Sequence, residues 1–272
     1  MGMKKGSAAN TLFAWVQRQS MKVKILLALT AMVFSLAAIK SCVTNYNNLF
    51  VARESIHAVG IAVLIYKLAT LKTCSGLSLQ TQELTALVLA ARISCCVDIG
   101  FDIHTFLDIA AFVSTAWVIY MMRYKLYVTY NEHLDKTPKS YLLIPCVIMA
   151  AFIHPDSSIP LSTKIRWAFA VYLEAILVLP QLWMMQKTQM IETYTALYVF
   201  ALGVTRFFGA AYWIIRVYES SEAYLFLLGR GYFWVPMVIV SETVQTFILA
   251  DFCYYYVKSV VSGNLLVRVP RV

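Results

Sequence analysis

The sequence predicts an all-α polytopic membrane protein: two three-helix repeats joined by a short linker helix, plus one extra helix at the N-terminus. Three observations predict it. The 272 residues are 60% hydrophobic and only 14% charged, with a mean hydropathy of +0.68, whereas an ordinary soluble domain carries about a quarter charged residues. The apolar residues fall in runs near the ~20 that a helix needs to cross a bilayer. An offset of 114 residues lays Lys67 and Leu68 on Gln181 and Leu182, and Arg92 on Arg206, so the first half is weakly repeated in the second.

The elements follow in order. Residues 1–24 form a basic tail with Lys4, Lys5, Arg18, Lys22 and Lys24 and no acid. The apolar stretch at 25–42 has two readings: a signal peptide, because Ser35-Leu36-Ala37 resembles a small-residue cleavage site, or an uncleaved anchor helix. The long basic segment before it and the polar Lys40 and Ser41 near its end favour the anchor. Seven apolar segments come next, at 56–71, 84–101, 106–122, 141–153, 167–185, 194–215 and 235–257. The fourth is short for a span and reads as the linker, with flanking residues or tilt making up the difference. A seven-helix domain over 48–261 and a tail over 262–272 complete the division.

Orientation comes from counting Lys and Arg on alternate sides. Fifteen of the 23 fall on one side and six on the other, with Arg92 and Arg206 left mid-helix. By the positive-inside rule the first side, with both termini, is cytosolic. The net charge of +9 is then mostly a topology signal. It does not indicate nucleic-acid binding, which needs a solvated basic face with aromatic platforms. The six cysteines are scattered without a CxxC pair, so they read as small apolar packers rather than as a zinc site or a disulfide framework. No metal or other cofactor is indicated.

Charges inside apolar runs carry the functional argument. Glu174 and the Pro180-Gln181 break share the run 171–187. A charge at mid-membrane costs a few kcal/mol (~2.5–3.5 on insertion scales) and normally faces a bundle interior or a wet cavity. Proline frees a backbone carbonyl that a neighbour must satisfy. The blander reading is a kinked helix whose Glu174 simply bonds a neighbour. His57 is placed at the lumenal mouth, Glu174 and Glu242 about 10 Å further down at ~1.5 Å per residue, and Arg92 and Arg206 near the middle. Arg206, Gly209, Trp213 and Arg216 follow i, i+3, i+7, i+10 along one helix face. The sum is a lumen-open cavity with three arginines against two glutamates, a net positive field suited to carboxylates. Structural Arg–Glu pairing is the alternative, and it leaves one arginine over.

Parallel three-helix repeats are also the plan of SWEET-type sugar transporters. A closer resemblance rests on motifs in order: Asn48-Leu49-Phe50, His57, Tyr66-Lys67, Cys74-Ser75-Gly76-Leu77-Ser78, Gln82, Arg92, Tyr172-Leu173-Glu174, Leu179-Pro180-Gln181-Leu182, Lys187-Thr188, Arg206, Trp213, Arg216, Val244-Gln245-Thr246 and Asp251-Phe252. In these the chain resembles the ER lumen protein-retaining receptors, the KDEL/HDEL receptors, from about residue 48 to 261. The added N-terminal segment resembles the longer, plant-type branch of receptor-like paralogues.

The resemblance implies a Golgi and ER membrane receptor. It would capture escaped ER proteins by a C-terminal HDEL/KDEL-type peptide at mildly acid pH and release them in the neutral ER. It places ligand carboxylates on Arg92 and Arg216, with Glu174, Arg206 and Trp213 in the same pocket and His57 as pH sensor. Supporting candidates are Arg53, Tyr212, Glu242 and Asp251. Arg suits bidentate carboxylate binding, and an imidazole, which ordinarily titrates near ~6.5, suits a Golgi-to-ER pH step.

Departures from the family pattern accompany the match. Cys95 stands where the family has an aspartate that meets the ligand's basic residue, Thr205 where it has tyrosine, and Tyr212 where it has asparagine. An arginine expected near Phe50 or Val51 is missing, with Arg53 a turn away as a partial substitute. The tail lysines that the family uses for return on coated vesicles are replaced by Ser262-Gly263-Asn264-Leu265-Leu266. A diverged paralogue with an altered ligand is therefore one expectation. The alternatives are a small-solute transporter of SWEET-like architecture, or a Golgi membrane protein with a vestigial pocket. An enzyme is not expected, because no nucleophile stands with a base and no HExxH or paired-carboxylate spacing occurs.

Overall fold

The computed structural model describes residues 47–101, 103–188, 190–219, 232–262 and 267–268. The basic tail 1–24, the extra helix at 25–42 and most of the tail 262–272 lie outside these residues. Eight helices are described: α1 (Asn47–Tyr66), extended by a π-helical turn (Lys67–Leu71), α2 (Leu79–Ile99), α3 (Ile103–Tyr120), α4 (Ser140–Phe152), α5 (Leu161–Ile176), α6 (Leu179–Thr188), α7 (Thr193–Glu219) and α8 (Trp234–Val261).

Five stretches have the length and apolarity to cross a membrane, among them the joined α5 and α6 over Leu161–Thr188. Helix α2 has 21 residues but carries Glu83, Arg92 and Asp98, and α4 has only 13 and contains Pro145. These two depend most on their neighbours. The chain is a multi-pass membrane protein.

The break expected at Pro180 is present. Helix α5 ends at Ile176 and α6 begins at Leu179. The backbone N–H of Gln181 donates to Thr81 Oγ1 at 3.0 Å. A side chain of α2 thus satisfies one of the backbone groups that the interruption exposes, as burial in a membrane requires.

The repeat appears in the packing. Helix α1 lies along α7 and α2 along α5, α3 closes on α2 and α1, and α8 closes on α7 and α5. Under the 114-residue offset α1 falls on α5 and α2 on α7, and by order in each half α3 corresponds to α8, so every one of these contacts has its counterpart in the other half. Helix α4 packs on α5, outside this symmetry. Between helices in lipid, close approach matters more than apolar burial, because the surrounding tails are equally apolar. At the α1–α7 contact Gly60 supplies it, since a Cβ there would sit 3.2 Å from Ala201 Cβ.

The end assigned to the cytosol is tied by polar bonds. Lys67 is fully buried, and its Nζ donates to Ser75 O at 2.7 Å and Thr195 Oγ1 at 2.6 Å and pairs with Glu192 Oε2 at 2.9 Å. Gln181, its partner in the repeat, accepts from Ser78 N at 2.8 Å and donates to Gly76 O at 2.7 Å. Ser78 caps α2 by accepting from Thr81 N at 3.2 Å, and donates to Asp135 Oδ1 at 2.8 Å. A short strand pair, Met190–Ile191 against Val267–Arg268, is antiparallel and holds part of the C-terminal tail against the α6–α7 connection.

Candidate functional site

Between the ends of α1, α5, α7 and α8 assigned to the lumen lies a cavity of about 500 Å³. Its wall includes Arg53, Arg92, Glu174, Tyr212, Trp213 and Glu242, with Trp167, Tyr232 and Trp234 from the ends of α5 and α8. Below it a smaller cavity of about 40 Å³ is lined by Arg53, Glu54, His57, Arg92, Asp108, Glu174 and Arg206. Arg53, Arg92 and Glu174 belong to both, so they form the partition.

Glu174 is the hub of that partition. Its Oε1 accepts from Arg53 Nη2 at 2.8 Å and is also paired with Arg206 Nη1. Two guanidinium groups on different helices thus share one carboxylate oxygen. Arg53, from α1, thus reaches the carboxylate at the centre of the partition.

Arg92 is not a spare cation, which corrects the expected three-against-two balance. Its Nη2 lies 3.0 Å from Asp108 Oδ1, and the Asp108 side chain is 7% exposed. The pairing has a sequence signal: Arg92 stands eight residues before Gly100 and Asp108 eight after it. Antiparallel helices joined at that turn bring the two to equal depth.

The other candidates separate by depth and face. Trp213 and Tyr212 line the upper cavity, while His57 and Arg206 reach only the lower one, which corrects the expected place of His57: it lies beneath the Glu174 partition and not at the mouth above it, because Arg53, a turn earlier on α1, is the residue level with Glu174. Among the described residues the His57 ring makes no hydrogen bond. Gly209 marks a close approach, because a Cβ there would meet Glu242 Oε2 at 3.0 Å and Arg53 Nη1 at 3.4 Å. Asp251 does not join the site. It is exposed and lines neither of these cavities, being nine residues from Glu242 and about 180° around α8. The side chain of Arg216 lies outside the described residues. Cys95, in the place of the family aspartate, is fully buried and bonds Thr163 O at 3.6 Å, away from the cavity wall.

Comparison with known proteins decides the family. The family described as ER lumen protein retaining receptor matches residues 73–216, more than half of the chain. The chain is similar to the ER lumen protein-retaining receptor of Entamoeba histolytica, 31% identical over 81% of this chain and 98% of that relative.

The chain belongs to the ER lumen protein-retaining receptor family.

One of the receptors of Caenorhabditis elegans is 34% identical over 76% of the chain and 92% of its own length. Receptor B of Arabidopsis thaliana is 32% identical over 78% and 94%. These relatives are covered almost whole, so the unmatched remainder is mainly this chain's own. The family match includes Arg92, Glu174, Arg206 and Trp213 and ends at Arg216. His57, Arg53, Glu242 and Gln245 fall outside that matched range.

Proposed function

We propose that this protein is a receptor, not an enzyme, of the ER and Golgi membranes. It binds lumenal proteins by a C-terminal HDEL/KDEL-type peptide under mildly acid conditions and releases them near neutrality, for return to the ER. The observation that carries the reading is the Arg53–Glu174–Arg206 cluster, with Arg92 beside it, at the floor of a cavity of about 500 Å³. Guanidinium groups held by a carboxylate can exchange that partner for a ligand carboxylate of the same charge, with geometry already set.

Acid preference is assigned to His57, which faces Arg53, Glu54, Arg92, Asp108, Glu174 and Arg206 from α1, α2, α3, α5 and α7. Carboxylates entering with the ligand and a proton on the imidazole attract one another, so each favours the other's binding. Binding then strengthens as pH falls toward the range in which His57 takes up its proton.

The packing beneath supports a one-sided pocket over a transporter. Leu84, Val88, Leu89, Val199 and Leu202 are buried below the partition, and the Lys67 and Gln181 networks tie the cytosolic end. A transporter needs a polar path there. With the tail lysines replaced, return on coated vesicles requires another signal in this chain.

The test is binding of a labelled HDEL-terminated peptide to the detergent-purified full chain across pH 5 to 8, with a C-terminally amidated peptide as control. Acid-favoured binding that needs the free carboxylate supports the reading. Equal binding of both peptides, or none at any pH, overturns it.

A further inference from the structure

The cavity contains a demand that no described residue meets. Among the described residues three buried side-chain oxygens lack a hydrogen-bond partner: Gln80 Oε1, Glu242 Oε2 and Gln245 Oε1. Two of the three stand in the wall of the large cavity. Glu242 is 7% exposed and Gln245 2%, and at i and i+3 on α8 they share one face. Buried polar atoms are nearly always paired in native proteins, so two orphans on one wall mark a place for a partner.

Their chemistry selects that partner. An ionised carboxylate only accepts, and the free atom of Gln245 is its carbonyl oxygen, so the missing group must be a donor. A cation suits it best, because hydrogen bonds in which one partner is charged are the stronger ones. Arg53 does not fill the role. It is held 2.8 Å from Glu174 Oε1 and, although its Nη1 lies over Gly209 beside Glu242, it leaves Glu242 Oε2 without a bond. The absence of a side chain at Gly209 is what lets the Glu242 carboxylate lie there, since a Cβ would stand 3.0 Å from its Oε2.

Cys95 leaves the corresponding task undone on α2, being fully buried and outside this wall. We infer that Glu242 and Gln245 of α8 form the subsite that takes a basic side chain of the ligand, opposite the arginine cluster that takes its carboxylates. The inference rests on the receptor reading and adds to it the residues that decide which peptide is accepted.

Three peptides on the purified full chain test it. One carries a basic residue four positions from a free C-terminus, the second has alanine there, and the third is the first with its C-terminus amidated. The native protein should bind the first more than about tenfold tighter than the second. Glu242→Gln and, separately, Gly209→Ala should cut that preference to within about threefold. Both variants should still discriminate against the amidated peptide, which a misfolded pocket would not do. A native protein indifferent to the alanine replacement, or a Glu242→Gln variant that keeps the full preference, overturns the inference while leaving the receptor reading in place. If none of the free-carboxylate peptides binds, the receptor reading itself fails and the inference falls with it.

Discussion

The two ends of this helical bundle handle buried polar groups in opposite ways. At the end assigned to the cytosol the Lys67 ammonium has three partners, Gln181 uses both ends of its amide, and Asp135 accepts from Ser78 Oγ, Gln80 N and Tyr130 OH. Burial and Asp135 together push the Tyr130 phenol well above its ordinary value. At the lumenal end one oxygen of Glu174 is shared by two arginines, and Glu242 Oε2 and Gln245 Oε1 have no partner among the described residues. The first network is nearly saturated, with only Gln80 Oε1 unpaired, and such a network rigidifies a fold, whereas orphans in a cavity wall are costly until a ligand completes them. The difference separates the part that holds the molecule together from the part that is built to receive something.

Breaking the first end should cost stability and leave selectivity alone. Lys67→Met removes a buried cation from three acceptors, and a loss of about 3 kcal/mol is expected, at the low end for a broken buried pair because Glu192 is partly solvated. A thermal unfolding curve in detergent measures it, and at permissive temperature the peptide preferences should be those of the native protein. An unchanged melting temperature would remove the structural role given to this end.

Breaking the second end should do the reverse. Arg92→Ala is expected to weaken binding of a free-carboxylate peptide by about 100-fold, a little under 3 kcal/mol, and also to destabilise by stranding Asp108. Adding Asp108→Asn should restore the melting temperature without restoring binding, because only the ligand contact remains lost. If the double variant binds normally, Arg92 serves the fold alone.

Gln181→Leu should cost about 2 kcal/mol through two lost buried bonds, again without changing peptide selectivity. The smallest effect on stability, within about 1 kcal/mol, is expected for His57→Ala, because the ring bonds no described residue. That variant should instead flatten the pH response. The preference for pH 5.5 over 7.4, for which one linked proton allows up to about tenfold per pH unit, should fall to about twofold, measured by equilibrium peptide binding. A full response in the variant would assign the pH dependence to another group.

Much of this arrangement is legible in residue order. Glu174 and Pro180 inside one apolar run announce a lined interior and a broken helix, and both are found. The motif residues Lys67, Gln181 and Gln82, which carry part of the family resemblance, are bonded across elements, Gln82 to Tyr198 OH at 3.0 Å. Helical phase accounts for the candidates that miss the main cavity: nine residues from Glu242 to Asp251 amount to half a turn, which turns Asp251 outward, while three to Gln245 keep it on the wall. Arg206 lies two turns below Trp213 on the same face, enough to put it beneath the main cavity.

Composition and periodicity along a single chain were enough for the all-helical membrane class, the repeat and the family. Which charges cancel was decided by the way the helices meet. Arg92 meets Asp108 across two helices, Glu174 gathers Arg53 and Arg206 from two others, and Glu242 fits over Gly209 with one oxygen left unpaired. The physical reason is range: a hydrophobic period acts within one helix, while the fate of a buried charge depends on what stands within about 3–4 Å of it, and that is set by how separate helices pack.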